Sequence, residues 1–91
     1  HEDNEITIST EAVLNALGRR ARTDDLGLSA AGVEECHGPV LTNPFQQTSV
    51  PHIFAAGDCC GPYEVVHIAI EQGELAARNA ARLLAGESDL Q

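Results

Sequence analysis

The sequence predicts an α/β fold in which short strands lead to one long C-terminal helix. Three observations carry this expectation. Ile53-Phe54-Ala55-Ala56 is an unbroken apolar run closed by Gly57-Asp58, which fits a strand buried on both faces, as in a parallel sheet. From Glu64 to about Leu84, the residues Val66, Ile70, Gly73, Ala77, Ala80 and Leu84 recur at helical spacing along one side. Near the N-terminus, Ile6-Thr7-Ile8 alternates apolar and polar β-branched residues, the pattern of a short strand.

The remaining elements follow in chain order. After the turn Ser9-Thr10-Glu11, the run Ala12-Val13-Leu14-Asn15-Ala16-Leu17 is closed by Gly18. Its length favours a buried strand over a helix. Gly18 to Asp25 is a polar, Arg-rich connection where the composition shifts, and it marks a boundary between units. One helical turn fits near Ser29 to Gly32. Pro39-Val40-Leu41-Thr42 reads as a strand whose start tolerates proline, and Asn43-Pro44 is a turn signal. Within the long helix, Glu74 and Arg78 stand at i,i+4 in the favourable order, and Gly86 is a stop.

Composition bounds what the chain can do. It has 91 residues, enough for one small domain, and only 3% of them are aromatic. Much of the apolar content is alanine, which buries little area, so a core built from these residues alone is thin. Net charge is −9 and lysine is absent. A nucleic-acid binder needs a basic face, so nucleic acid and anionic membrane are set aside as partners. No apolar run approaches a transmembrane span. Cys36, Cys59 and Cys60 are odd in number and two are adjacent, which is no disulfide framework and points to a reducing cytoplasm. The opening His1-Glu2-Asp3-Asn4-Glu5 reads as an entry in mid-protein.

Two features carry candidate chemistry. A carboxylate just after a buried parallel strand lies at the sheet edge where open α/β folds bind ligands. Asp58 there could accept hydrogen bonds from ligand hydroxyls, with Gly57 allowing close backbone approach. The alternative is that Asp58 caps a turn and Gly57 supplies a turn dihedral. The helix from about Val66 begins with amides that have no intrahelical partner, and they suit an anionic or electron-rich ligand atom. Ala69, Gly73 and Ala77 form a small-residue stripe at i, i+4, i+8, a packing feature.

The stretch Thr48-Ser49-Val50-Pro51-His52-Ile53-Phe54-Ala55-Ala56-Gly57-Asp58 resembles the second FAD-binding motif of the pyridine nucleotide–disulfide oxidoreductase superfamily. The match lies at Thr48, Pro51, Ile53, Ala55, Ala56, Gly57 and Asp58. Gly61-Pro62, then Val66-His67-Ile68-Ala69 and Gly73, are similar to the dihydrolipoamide dehydrogenase and mercuric reductase branch. A thioredoxin reductase-like branch is the other candidate. Upstream, Glu11 to Arg20 resembles the family's return strand out of its NAD(P)H-binding domain, which ends in Gly-Arg. Leu26-Gly27-Leu28 and Ala31-Gly32-Val33 follow at the family's usual distance. The likeness covers roughly residues 6–84.

The resemblance implies a fragment of a flavoprotein with two dinucleotide-binding domains. Residues 1–25 would end the NAD(P)H-binding domain, and residues 26–91 would be the returning part of the FAD-binding domain. Asp58 would contact the ribityl hydroxyls of FAD, and the backbone amides of Val66 and His67 would approach the flavin carbonyl. The parent would pass electrons from NAD(P)H through FAD to a disulfide or another acceptor, as a cytoplasmic homodimer. This piece would position the flavin and hold no catalytic residue.

Some residues depart from the pattern. Ala21-Arg22 stands where the family often has Pro-Asn, and Asn15 interrupts an apolar strand. The chain contains no Gly-x-Gly-x-x-Gly loop and no Cys-spacer-Cys, and the family's dimerisation region does not follow Leu84. Cys59-Cys60 is not the family's redox pair. It reads as two small buried residues in a turn, with a soft-metal site made by Cys59, Cys60 and His67 as the alternative. A reading from a different class is a small acidic interaction module without cofactor.

Overall fold

A computed structural model describes residues 4–61 and 65–91. Its helical elements are α1 (Leu28–Ala31), a 3-10 turn (Asp58–Cys60) and α2 (Val66–Leu84). Outside them, the described residues carry two isolated antiparallel bridges, Glu35 with Val40 and Gln47 with Phe54. The long C-terminal helix stands where the periodicity places it. The strands are largely replaced by turns.

The N-terminal segment differs most from expectation. Residues 4–20 are exposed and carry no regular structure. Val13, Leu14 and Leu17 are 83%, 91% and 94% exposed, so the predicted buried strand Ala12–Leu17 is not formed, and neither is the strand Ile6–Ile8. A strand needs a neighbour to pair its backbone N–H and C=O groups, and among the described residues none lies beside these two runs. The segment stretches the molecule to 62 Å, with a radius of gyration of 18.2 Å, against about 12 Å for a compact chain of this length.

Packing begins at Thr23, which is buried and donates its hydroxyl to the Gly38 carbonyl at 2.6 Å. The single turn α1 follows. Two bonds close it in the Schellman pattern: Val33 N–H to the Leu28 carbonyl at 2.9 Å and Gly32 N–H to the Ser29 carbonyl at 3.1 Å. The chain then doubles back between Cys36 and Pro39, and Leu41 N–H meets the Glu34 carbonyl at 3.0 Å. Pro39–Thr42 thus contributes one bridge at Val40 and no longer strand.

The Asn43-Pro44 signal becomes an Asx turn, with Asn43 Oδ1 accepting the N–H groups of Phe45 and Gln47, each at 3.0 Å. Next comes a hairpin. Thr48 N–H donates to the Ile53 carbonyl at 2.9 Å and Ala55 N–H to the Gln46 carbonyl at 3.0 Å. The sequence pattern makes Ile53–Ala56 a parallel strand buried on both faces. It is instead the half-buried return arm of this antiparallel pair. The reason is local: a tight turn at Pro51-His52 delivers a partner a few residues away, and antiparallel pairing needs no crossover.

Val33, Val40 and Cys60 form the core, with Leu28, Val50, Ile53, Ala55 and Cys59 packed against them. It is as thin as the alanine-rich composition implies.

α2 meets this unit through Ala69, Gln72, Asn79 and Leu83, a helical face that is partly or fully buried. The predicted stripe lies elsewhere. Val66, Ile70 and Leu84 are 78%, 57% and 91% exposed. The packed face is rotated from it because Gln72 and Asn79 are drawn inward by backbone groups that need partners. Glu74 and Arg78 do not form the ion pair their spacing allows; among the described residues the pairs are Arg19–Asp58, Arg20–Asp24 and Arg82–Glu87. Gly86 ends α2 as expected. At φ 86° it adopts the left-handed backbone, its N–H meets the Leu83 carbonyl at 3.1 Å, and Glu87 N–H meets the Arg82 carbonyl at 3.0 Å. No helix among the described residues is long and apolar enough to cross a membrane.

Candidate functional site

The Gly57-Asp58 turn sits between the hairpin and α2. Gly57 has φ 89° and ψ −157°, a region that is essentially glycine's alone. Its backbone is buried, and its N–H donates to Gln72 Oε1 at 2.8 Å. A Cβ built on Gly57 would stand 3.6 Å from Ala69 Cβ, so the turn lies directly against the start of α2. Ala69 therefore does the packing expected of the small-residue stripe, whereas a Cβ on Gly73 would meet nothing within 4 Å.

Asp58 opens the 3-10 turn with an exposed side chain. The carboxylate makes no hydrogen bond to its own turn among the described residues, while Gly57 does supply the turn dihedral that the alternative reading gave it. Among the described residues its partner is Arg19, with Nη1 3.8 Å from Oδ2 and the two side chains 74% and 50% exposed. Such a pair is worth about 0–1 kcal/mol. The acceptor oxygens thus remain largely available to another donor. Sequence reading missed Arg19, because nothing in the spacing relates two residues so far apart.

Val66 and His67 are the first two residues of α2, and both are exposed. Val65 precedes them in extended backbone with no side-chain cap. The first intrahelical bond runs from Ala69 N–H to the Val65 carbonyl at 3.0 Å. The amides of Val66, His67 and Ile68 therefore have no intrahelical acceptor, at the positive end of a 19-residue helix. Because Ala69 adjoins Gly57, the fold brings the Gly57-Asp58 carboxylate turn and this donor array into one neighbourhood. Pro62, which the resemblance also uses, and Glu64, the expected start of the helix, lie outside the described residues.

The cysteines divide. Cys36 is exposed, Cys59 half-buried and Cys60 buried, and all three are free. Cys60 donates its thiol to the Gly57 carbonyl at 3.2 Å and receives Gln46 Nε2 at 3.7 Å. Burial pushes the Cys60 thiol above its ordinary value, and the adjacent Cys59 adds to that. A thiol raised in this way contributes stability that is present below the unfolded-state value of about 8.5 and is lost as pH rises through the folded value. Iodoacetamide at pH 8 is expected to label Cys36 first and Cys60 last, followed by peptide mass spectrometry. Equal rates would mean that the 3-10 turn opens freely. Among the described residues no three of His, Cys, Asp and Glu gather to hold a metal ion, so Cys59, Cys60 and His67 do not converge.

Gln46, Gln72 and Asn79 also escaped sequence reading, and each is now seen to bond backbone groups. The available signal was weak: Gln72 and Asn79 are seven residues apart, hence on one helical face.

Comparison with known proteins adds an independent line. The family described as pyridine nucleotide-disulphide oxidoreductase matches residues 1–73, a span that includes Gly57, Asp58, Val66 and His67. The dihydrolipoyl dehydrogenase of Chlamydia trachomatis is 43% identical over 70 residues, covering 76% of this chain and 15% of that protein. Mitochondrial thioredoxin reductase 2 of Drosophila melanogaster is 43% identical over 81 residues, covering 88% of this chain and 15% of that protein. A mercuric reductase of Staphylococcus aureus is 40% identical over 87 residues, covering 94% and 16% respectively. The chain thus spans about a sixth of the length of these curated relatives. A match over most of its residues, together with the strand-end carboxylate turn and the helix that follows, places this chain in the pyridine nucleotide-disulphide oxidoreductase family.

Proposed function

We propose that this chain is the flavin-positioning segment of an FAD-dependent, NAD(P)H-linked oxidoreductase. Residues 1–25 are the end of its NAD(P)H-binding domain, and residues 26–91 are the returning part of its FAD-binding domain. The observation that carries the reading is Asp58, whose carboxylate has only the loose Arg19 pair among the described residues and stands near an uncapped helix N-terminus.

This donor and acceptor set fits FAD. A ribityl chain presents hydroxyl donors, and an ionised carboxylate only accepts. The flavin pyrimidine edge presents carbonyls, which suit the amides of Val66 and His67 and the positive end of the α2 dipole. Gly57 keeps side-chain bulk away from the turn. When bound, FAD would supply the electron relay between NAD(P)H and a disulfide or another acceptor. The share of this chain is orientation and local electrostatics. The dinucleotide loops, the redox-active pair and the dimer contacts belong to the rest of the parent chain, a homodimer of the reducing cytoplasm. Exposed Val13, Leu14 and Leu17 form apolar surface for the rest of the parent chain to cover.

Asp58→Ala in the complete enzyme is expected to weaken FAD binding by roughly ten- to a hundredfold, the scale of a lost hydrogen bond to a charged group. Affinity for the nicotinamide cofactor should stay unchanged. Titrating apoprotein with FAD by fluorescence measures the first, and NAD(P)H titration the second. Unaltered FAD affinity would remove Asp58 from the site and the reading with it.

A further inference from the structure

We infer that Gln72 is a positioning residue of the flavin site: through one hydrogen bond it holds the Gly57-Asp58 turn in register with the N-terminus of α2. The inference rests on the flavin-positioning reading above. Asp58 and the amides of Val66 and His67 lie on two different elements. For both to meet one ligand, something must set their separation and orientation.

Gln72 is placed to do so. It sits in α2 one turn beyond Ile68, and its Oε1 accepts the buried Gly57 N–H at 2.8 Å. The Cys60 sulfur lies 3.7 Å from the same oxygen, while its single proton goes to the closer Gly57 carbonyl at 3.2 Å. Helix α2 thereby holds the residue before Asp58 by a hydrogen bond and touches the second residue after it. Gly57 is also where the backbone takes its unusual dihedrals, φ 89° and ψ −157°. This conformation turns the Gly57 N–H toward the helix and away from any ladder partner. No other acceptor among the described residues takes this N–H, so its satisfaction depends on Gln72. An orphaned buried donor costs more than the average hydrogen bond is worth, and the turn would re-aim to find water if the side-chain oxygen were removed. Ala69 supports the same contact from one helical turn earlier, but an apolar contact sets distance without fixing direction. A hydrogen bond does both.

The test uses the complete enzyme, with Gln72→Leu, Gln72→Glu and Asp58→Ala compared by two readouts: the FAD dissociation constant and the midpoint potential of bound flavin. Gln72→Leu keeps the volume and removes the acceptor. It is expected to weaken FAD at least tenfold and to shift the potential, because the amides of Val66 and His67 no longer stand in register with Asp58. Gln72→Glu keeps an acceptor oxygen and is expected to restore FAD affinity to within about threefold of wild type. A residue that merely supported folding would lower yield and melting temperature while leaving both readouts of the folded fraction unmoved. That outcome, with Asp58→Ala still losing FAD, overturns the role of Gln72 and leaves the flavin reading intact. Unchanged affinity in Asp58→Ala overturns the reading itself. If Gln72→Leu does not accumulate folded, Gln72→Asn, one methylene too short to reach Gly57, is measured in its place against the same outcomes.

Discussion

Replacing Gly57 with alanine is expected to destabilise the protein by about 1–3 kcal/mol, the scale of a residue forced into a sparsely populated backbone region. The cost comes from the backbone. At φ 89° and ψ −157°, an L-residue sets its Cβ against its own peptide groups. The surroundings contribute little, since that Cβ would stand 3.6 Å from Ala69 Cβ, an ordinary contact distance. Two consequences separate these causes. Ala69→Gly, which opens the space, should not rescue Gly57→Ala. D-alanine at position 57, introduced by semisynthesis, should be tolerated. The denaturation midpoint of the complete protein reads all three. Rescue by Ala69→Gly would show that crowding, and not the dihedral, sets the requirement. If the turn relaxes to an ordinary conformation instead, the Gly57 N–H leaves Gln72 and, on the proposed flavin-positioning role, FAD affinity falls along with stability.

Asn79→Leu is expected to cost a similar amount, about 1–3 kcal/mol from unsatisfied buried groups, at a position remote from Asp58. Asn79 is 0% exposed. Its Nδ2 donates to the carbonyls of Phe45 and Gln91 at 3.0 and 3.1 Å, and its Oδ1 accepts the Gln91 N–H at 2.9 Å. Three backbone groups thus depend on one amide, which ties the Asx-turn loop and the segment at Gln91 onto α2. Leucine keeps the branched shape, though it is bulkier, and abandons all three. The Asn79→Asp substitution would keep the acceptor but set a carboxylate beside two carbonyl oxygens with little water to screen it, so it should be worse than leucine. Amide hydrogen exchange checks this directly, with protection expected to fall at Gln46, Gln47 and Gln91 before it falls in the first turns of α2. An Asn79→Leu protein with unchanged exchange at these amides would show that the clamp is dispensable.

The two sites also show what was legible in the sequence. The span of α2 was, because its 3.6-residue periodicity and its Gly86 stop are written locally. The helix runs Val66–Leu84, against an expected start at Glu64 and end near Leu84. The turn Gly57-Asp58 was legible for the same reason, as was the turn at Asn43. The strands were not. Ile6–Ile8 and Ala12–Leu17 have the right composition, but a strand is defined by a neighbour, and the described residues supply none. Ile53–Ala56 found a neighbour, though a different one from that expected, because a hairpin partner only a few residues away is reached at little loop-closure cost.

By itself the sequence determined where the chain can turn and where it can coil, and through its motif the family to which the chain belongs. Glycine dihedrals, helical periodicity and side-chain caps act within a few residues, so they can be read along the chain. Only the tertiary structure decided which face of α2 is packed, that Asp58 stands free of its own turn, that Arg19 reaches it, and that Gln72 and Asn79 hold backbone groups 15 and 34 residues away. These are matters of which polar group satisfies which other. That pairing depends on how distant segments happen to meet, and no local pattern encodes it.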